Sequence, residues 1–432
     1  MSDLALDHLR EAYKLLRDSP DHKDCSVAVE LAISLIEPTN SFGRLLRQQR
    51  KAAKLNVYQV AKRVGVSPNT IKNWESGSTM PAKRPLAQLL AMPELKLSAA
   101  EHAPPGDGPN SYFLPNYNRR QLLQQMAQIL NGDGGALEQS MLYLDDQSAS
   151  DWLAISQASV SWGSFRALPV GPIAEAILRE WQGPTDINAL GAGDGRSEVR
   201  LCEELLGRRP ELDLKLRLLD ISHPLLHAAH DHAKVALADR VETSTLHGNF
   251  HHLWRFAVLL PKSAPSRRRV YSLVGHTMSN LDNEIAWVRD QLSLAAPGDF
   301  MIVDYSIAYA SPDEPAKIRA LDPPLAQGIP DAHFAWVTGP LRRYARDVAD
   351  IKVNLELNTY CSMPGSYELV TYATVRRKDG STQRYLVTRV RRYTTEKLRE
   401  CLESLGWEWV EHLPYGPTGR AAVAVLRRAD RR

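Results

Sequence analysis

Three short segments set glycines, a carboxylate and an amide at the ends of apolar runs. In Asp186-Ile-Asn-Ala-Leu-Gly-Ala-Gly-Asp-Gly195 an apolar run enters Gly191, Gly193 and Gly195, and Arg196-Ser-Glu-Val-Arg-Leu201 then opens a helix. Glycine suits a tight turn and leaves bare main chain against which a ligand can lie. About thirty residues later, Leu216-Arg-Leu-Leu-Asp220 ends a second run with an acid at its tip. A doubly wound fold sets a carboxylate at that place, where it accepts hydrogen bonds from two ribose hydroxyls. A third run ends at Gly248-Asn249-Phe250, where an amide can pair with an adenine amino group and a ring can cover its face. The first two segments have plainer alternatives: strand-to-helix turns often use glycine, and Asp220 also suits a helix N-cap before Pro224.

The elements that must carry these residues follow from the hydrophobic pattern. Beyond Thr185, strand-like runs at Ile187 to Leu190, Leu214 to Leu219, Val241 to Leu246, Val270 to Val274 and Phe300 to Val303 alternate with helical stretches. That alternation predicts a parallel sheet with crossover helices. Pro172 to Trp181 reads as a helix feeding into it. Near the C-terminus, Tyr367 to Val375 and Arg384 to Val390 flank the turn signal Lys378-Asp379-Gly380-Ser381, and Ala421 to Leu426 forms a last strand. The expected fold is α/β, Rossmann-like, with an antiparallel C-terminal edge. The three ligand-binding loops then converge at the carboxyl ends of adjacent strands.

Asp220-Ile221-Ser222, Gly248-Asn249-Phe250 and above all Gly275-His-Thr-Met-Ser-Asn280, followed by a helix and by Pro297-Gly298-Asp299 before Asp304, carry a family resemblance. Over about residues 165 to 430 the chain resembles the histidine-specific methyltransferases that depend on S-adenosylmethionine (SAM). The resemblance implies a class I methyltransferase fold with SAM as cofactor. By it, Gly191, Gly193, Gly195, Asp220, Ile221, Asn249 and Phe250 hold SAM, Gly275, His276 and Thr277 face the sulfonium, and Asn280 reaches the substrate. Family members methylate the α-amino group of histidine, which implies N-methylation of a small amino-acid-like or peptidic acceptor.

The chain also departs from that pattern. Ala189, two residues before Gly191, stands where such enzymes commonly carry an acid. Thr388-Arg-Val-Arg-Arg-Tyr393 replaces the family's Glu-x-Ser before Lys-Tyr, so Arg389 and Arg391 occupy the places of an acid and a hydroxyl. Two guanidinium groups suit a carboxylate or phosphate and repel a protonated imidazole. The acceptor is therefore expected not to be histidine, with Asn280, Asp304, Arg389, Arg391 and Tyr393 as its candidate contacts. The alternative makes these arginines the decoration of a solvent-facing strand. Methyl transfer from a sulfonium is an in-line displacement that needs alignment more than acid-base chemistry. Asn280 and Tyr305, with Asp304 beside them, are the candidates for orienting an amine lone pair, and no dedicated base is evident.

Seven of the thirteen histidines lie between His223 and His252, including His223-x3-His227 and His247-x3-His251. That spacing can hold a metal. The segment offers no carboxylate pair or thiolate, however, and the positions straddle a helix and a loop. No metal site is expected.

The stretch before the catalytic elements has a different character. Asn56-Val57-Tyr58-Gln59 has capping-box spacing, Gly65 suits a helix stop, and Ser67-Pro68 caps and begins a second short helix. That helix carries Asn69, Thr70, Lys72 and Asn73 on one side and Ile71 and Trp74 on the other. Together with Gln59, Ala61, Gly65-Val66-Ser67, Trp74-Glu75, Gly77 and Pro81, this resembles the Xre or phage-repressor-like helix-turn-helix family over roughly 50 residues. The resemblance implies base contacts from Asn69, Thr70, Lys72 and Asn73, with Gln59 buttressing them or touching phosphate. Arg44, Arg47, Arg50 and Lys51 are further phosphate candidates. Binding two half-sites would call for a homodimer. The alternative is a protein-interaction module that touches no DNA.

Composition bounds the rest. A length of 432 residues favours two or three domains. The expected arrangement is a helical hairpin over 1 to 38, the helix-turn-helix over 41 to 95, a linker over 96 to 117 and the catalytic domain over 118 to 432. Fifty-three Lys and Arg against 50 Asp and Glu leave a formal charge of +3, so any nucleic-acid contact must be local. Cys25, Cys202, Cys361 and Cys401 are too scattered for a disulfide framework. No uninterrupted apolar segment suggests a leader or a membrane span, and a cytoplasmic location is expected. Two functional classes stay open: a methyltransferase with an attached targeting module, and a transcription regulator whose Rossmann domain senses SAM or another metabolite.

Overall fold

Asn56 Oδ1 accepts the Gln59 N–H at 2.9 Å while Gln59 Oε1 accepts the Asn56 N–H at 2.7 Å, the reciprocal cap that the sequence spacing predicts. It opens a short helix in a computed structural model that describes residues 41–76, 81, 85, 88–89, 92–95, 110–113, 119–132, 134–158, 168–256, 260, 266–416 and 418–430. The hairpin expected at 1 to 38 lies outside the described residues, as does most of the linker expected at 96 to 117. The described residues fall into two compact units, one covering 41–95 with 113 and the other 110–112 with 119–430.

In the first unit α1 (Ser41–Ala52), α2 (Val57–Val64) and α3 (Pro68–Ser76) surround Leu46, Val60, Ala61, Val64, Ile71 and Trp74, all buried. Ser67 Oγ accepts the Thr70 N–H at 3.1 Å and so caps α3 as its position before Pro68 predicts. One expectation needs correction. Arg50 is buried and forked onto both oxygens of Glu75, with a further 2.8 Å bond to the Leu55 carbonyl. It braces α1 against α3, with its guanidinium turned to these partners inside the unit and not offered to phosphate. Arg47 and Lys51 are exposed, and the side chain of Arg44 lies outside those described.

The second unit is built on a mixed sheet. Strand β1 (Asn110–Phe113) lies at its edge, inside the stretch expected to be linker. Helix α4 (Arg119–Asn131), the short β2 (Gly135–Ala136), α5 (Asp146–Ala158) and α6 (Val170–Glu180) follow. The parallel core then alternates as its apolar runs require: β3 (Thr185–Leu190), α7 (Arg196–Arg208), β4 (Leu214–Asp220), α8 (His223–Leu237), β5 (Glu242–His247), β6 (Arg268–Leu273), α9 (Glu284–Gln291) and β7 (Phe300–Ile307). All six residues of β3 are buried, as expected of a strand covered on both faces. Helices α10 (Pro315–Leu321), α11 (Pro323–Gln327) and α12 (Asp331–Tyr344) lead to β8 (Val348–Asn358), β9 (Ser366–Arg377), β10 (Thr382–Tyr393), α13 (Thr395–Ser404), β11 (Trp407–Tyr415) and β12 (Ala421–Arg428).

Strand pairing fixes the topology. The order β5-β4-β3-β6-β7 is parallel throughout. Strand β12 runs antiparallel beside β7, with Val423 opposite Asp304, and β11 pairs antiparallel with β12. A reversed strand placed between two parallel ones at this end of a doubly wound sheet is the class I methyltransferase arrangement. A second antiparallel layer, β10-β9-β8, joins at the carboxyl tip of β7, where Arg392 and Tyr393 pair with Ser306 and Ile307. The antiparallel edge is thus two features where the sequence pattern predicts one. The chain leaves β3 towards β4 on one side and returns to β6 on the other, so the direction of winding reverses at β3. A crevice opens outside the carboxyl ends of the strands at such a point.

Candidate functional site

A cavity of about 430 Å³ occupies that crevice, within the range usual for small-molecule sites. Gly191, Ala192 and Gly193 form its floor, Asp220 and Ile221 one flank, Asn249, Phe250 and His251 the far end, and Val274, Gly275, Thr277 and Asn280 the opposite flank. The bare main chain at the floor has steric causes. A Cβ on Gly191 would lie 3.2 Å from Thr277 Cγ2 and 3.3 Å from the Phe250 ring, and φ there is +74°. On Gly193, with φ +55°, a Cβ would strike the Trp152 ring at 2.7 Å. Gly195 serves a different purpose: its missing Cβ lets α7 approach Ala229 of α8, where a methyl would sit 2.8 Å from another. It packs helices and does not line the cavity.

Asp220 is 6 % exposed. Its Oδ2 accepts the Gly193 N–H and its Oδ1 the Ser222 N–H, both at 2.8 Å. Burial pushes its carboxyl up to about 6, against the backbone N–H groups that favour the ionised form. Asn249 also lines the cavity. Its Oδ1 caps the His251 N–H at 2.9 Å and its Nδ2 donates to Glu138 at 3.1 Å, so a purine would share an amide that already orders its own loop. Phe250 packs edge-on against Trp287, with centroids 5.8 Å apart, which holds the ring facing Gly191.

The turn after β6 is set from behind. Asp304, 1 % exposed, accepts the Gly275 and His276 N–H groups at 3.0 and 3.2 Å through Oδ2, and the Tyr415 hydroxyl at 2.6 Å through Oδ1. Gly275, His276 and Tyr415 all engage this carboxylate from within the fold, so Asp304 positions the turn and does not line the cavity. His276 takes a left-handed conformation with φ +58° and is buried beneath the turn. Gly275 and Thr277 line the cavity and His276 does not.

Three further expectations are corrected by direction. Tyr305 follows Asp304 on β7, and successive side chains leave a strand on opposite faces. Its hydroxyl donates to Thr395 Oγ1 at 3.1 Å and meets His412 Nε2 at 3.0 Å, away from the cavity. Burial pushes its phenol up to about 12, so it is no base at neutral pH. Tyr393 is fully buried, its ring edge-on to Tyr305 with centroids 6.0 Å apart. Arg391 is buried between the carboxylates of Glu284 and Glu368, where it ties β10 to the start of α9. Its guanidinium is spent on these two acids and lines neither cavity.

Arg389 behaves differently. It borders a second recess of about 250 Å³, together with Glu138, Asp282 and Thr388, and Gln139, His251 and Asn280 line both cavities. Arg389 Nη1 lies 3.2 Å from Asp282 Oδ1, whose side chain is 82 % exposed, so this guanidinium has an easily displaced partner. Asn280 stands at the junction.

Sequence reasoning missed several lining residues. Gln139, Ser140, Tyr143, Trp152 and Ser156 come from segments without a readable motif. Trp152 covers the glycine turn and packs edge-on to Tyr143, with centroids 6.4 Å apart. Glu198 was missed although it lies within the helix that the glycines open. It is 3 % exposed, lines the cavity and accepts Ser272 Oγ at 2.9 Å. Burial pushes its carboxyl up to about 7, opposed by the Ser272 bond and its own N–H and reinforced by Asp194 and Asp220.

In the first unit, Asn69, Lys72 and Asn73 are exposed on one face of α3. Thr70 is half-buried with its hydroxyl 2.8 Å from Ser67 Oγ. Gln59 is exposed but spends its carbonyl oxygen on the cap.

Among solved structures, an S-adenosylmethionine-dependent methyltransferase from Clostridium acetobutylicum ATCC 824 is 11 % identical, with 66 % of this chain and 99 % of that one covered at a TM-score of 0.36. A didemethyltoxoflavin N1-methyltransferase from Burkholderia thailandensis, with S-adenosylhomocysteine bound, gives 11 %, 65 %, 87 % and 0.35. A SAM-bound amino pentose methyltransferase from Micromonospora echinaspora gives 12 %, 64 %, 97 % and 0.33. Likenesses this loose carry no argument about the present chain. No curated protein matches it. Residues 41–103 match the family described as a helix-turn-helix domain.

Proposed function

We propose that the second unit is a SAM-dependent methyltransferase acting on a small amino-acid-like or peptidic amine other than histidine, with the helix-turn-helix as a DNA-binding or protein-interaction module. The observation that carries this reading is Asp220: a buried carboxylate at the tip of β4, lining a cavity whose floor is the main chain of Gly191 to Gly193. The residues fit the cofactor. Asp220 retains lone pairs for ribose hydroxyls, Phe250 and Asn249 lie where a purine would rest, and the glycine floor leaves the space that side chains would fill. When bound, SAM supplies a methyl group on a sulfonium that needs no further activation.

The chain's own residues then have to align an acceptor and exclude water. Gly275, whose N–H is held by Asp304, and Thr277 shape the wall that would face the sulfonium. Asn280, at the junction of the two cavities, can accept from an amine N–H and aim its lone pair. Arg389 can exchange the exposed Asp282 for an acceptor carboxylate, which favours an amino-acid-like molecule. Gln139 and Trp152 complete the lining. A solvent base suffices for the departing proton.

Titration calorimetry with SAM and S-adenosylhomocysteine, followed by methyl transfer to a panel of amino acids and peptides, tests the reading. Affinity for both ligands and turnover with a carboxylate-bearing amine are expected. Absence of binding to either ligand sinks it.

The helix-turn-helix match favours a second reading, a transcription regulator that senses SAM. Under it the protein binds SAM and its own promoter region, with no turnover of any acceptor.

A further inference from the structure

We infer that Glu198 is the anionic partner of the α-ammonium group at the amino-acid end of the cofactor, standing in for the acid that position 189 lacks. The inference rests on the reading of the cavity as a SAM site and extends it by one residue.

The cofactor's methionine end carries a cation that needs a counter-charge inside the crevice. Three carboxylates line the cavity among the described residues: Asp194, Glu198 and Asp220. Asp220 is at the ribose position and already holds the Gly193 and Ser222 N–H groups. Asp194 is paired with Arg196 at 3.3 Å. Glu198 remains. Among the described residues no Lys or Arg pairs with it, and its one side-chain partner is the neutral hydroxyl of Ser272 at 2.9 Å.

Its place in the sheet agrees. Asp220 ends β4 on one side of β3, and Ser272 belongs to β6 on the other. A molecule whose ribose meets Asp220 and whose tail crosses Gly191 to Gly193 therefore reaches the β6 side, where Ser272 fixes the Glu198 carboxyl. Ala189, buried on β3, offers only a methyl group. Glu198, in the first turn of α7, restores the charge from the next element of the same unit. Burying a carboxyl without a cation disfavours its ionised form, and a bound ammonium would reverse that.

The test compares S-adenosylhomocysteine with 5′-methylthioadenosine, which shares the nucleoside and thioether but lacks the amino-acid end. Both are titrated into the wild-type chain and Glu198→Gln, which keeps the Ser272 bond. Glu198→Gln is expected to weaken S-adenosylhomocysteine roughly 10- to 100-fold, the range for a hydrogen bond to a charged group, and to leave 5′-methylthioadenosine unchanged. Equal losses for both ligands, or no loss for the first, overturn the inference. A measurement that needs no variant repeats the comparison on the wild-type chain with the deaminated analogue of S-adenosylhomocysteine: comparable loss supports the assignment, and undiminished affinity overturns it while the SAM reading stands. If the wild-type chain binds no ligand of the set, the SAM reading falls and takes the inference with it.

Discussion

The Asp220 carboxylate holds the Gly193 main chain across the gap between β3 and β4, accepting its N–H at 2.8 Å. The group assigned to the ribose therefore also shapes the turn beneath it. Replacing Asp220 by Ala removes both functions at once. S-adenosylhomocysteine affinity is expected to fall by roughly two orders of magnitude or more, since hydrogen bonds to a charged group contribute about 1.5–3 kcal/mol each. Calorimetry measures this directly, and an unaltered dissociation constant would remove Asp220 from the site.

Cofactor binding should weaken as pH falls. Burial raises the Asp220 carboxyl to about 6 and the Glu198 carboxyl to about 7. Both groups are ionised in the free protein well above neutrality and take up protons as pH drops through those values. A ligand that needs the ionised forms must displace those protons, so its affinity decreases towards acid by up to roughly tenfold per pH unit for each group. S-adenosylhomocysteine titrations from alkaline to mildly acid pH should show a plateau followed by this decline. 5′-Methylthioadenosine should follow only the Asp220 portion. A dissociation constant level across the range contradicts the assignment of either group.

Arg389 and Arg391 of β10 should separate cleanly. Arg391→Met leaves Glu284 and Glu368 buried without their cation, which is expected to cost about 3–5 kcal/mol of stability. Arg389→Ala breaks a pair with an exposed aspartate and should cost no more than about 1 kcal/mol, while raising KM for a carboxylate-bearing acceptor. Urea unfolding and steady-state kinetics distinguish these outcomes; matching stability losses would refute the difference in role.

Under the DNA-binding reading of the first unit, Lys72→Ala should lower the dependence of DNA affinity on salt by about one counterion in slope. Arg50→Ala should instead lower thermal stability, because Arg50 is engaged by Glu75 and the Leu55 carbonyl. Fluorescence anisotropy at several salt concentrations, with melting curves of the same variants, reads both. Loss of the salt slope in Arg50→Ala without destabilisation would show the guanidinium on phosphate.

Much of the architecture follows from local rules that leave marks in the chain. The cap at Asn56 and Gln59, the Ser67-Pro68 start of α3, and the parallel strands ending at the glycine turn and Asp220 all depend on residues close in sequence. Strand β8 was equally readable, since Ile351, Val353, Leu355 and Leu357 alternate with Asp350, Lys352, Asn354 and Glu356, but it stood outside the βαβ rhythm. Strand β11 was harder because Pro414, next to its last residue, argues in sequence against a strand that the structure carries through to Tyr415.

What periodicity alone determined was which segments are strands or helices and which loops end at the carboxyl edge of the sheet, because hydrophobic spacing and turn chemistry act over a few residues. Tertiary structure decided where each side chain points and what it touches. It sent Tyr305 away from the cavity one residue after Asp304, closed Arg391 between two acids more than twenty and one hundred residues distant, and brought Glu198 over Ser272. The outcome at each of these positions depends on a partner supplied by another element, and no spacing within one segment encodes that meeting.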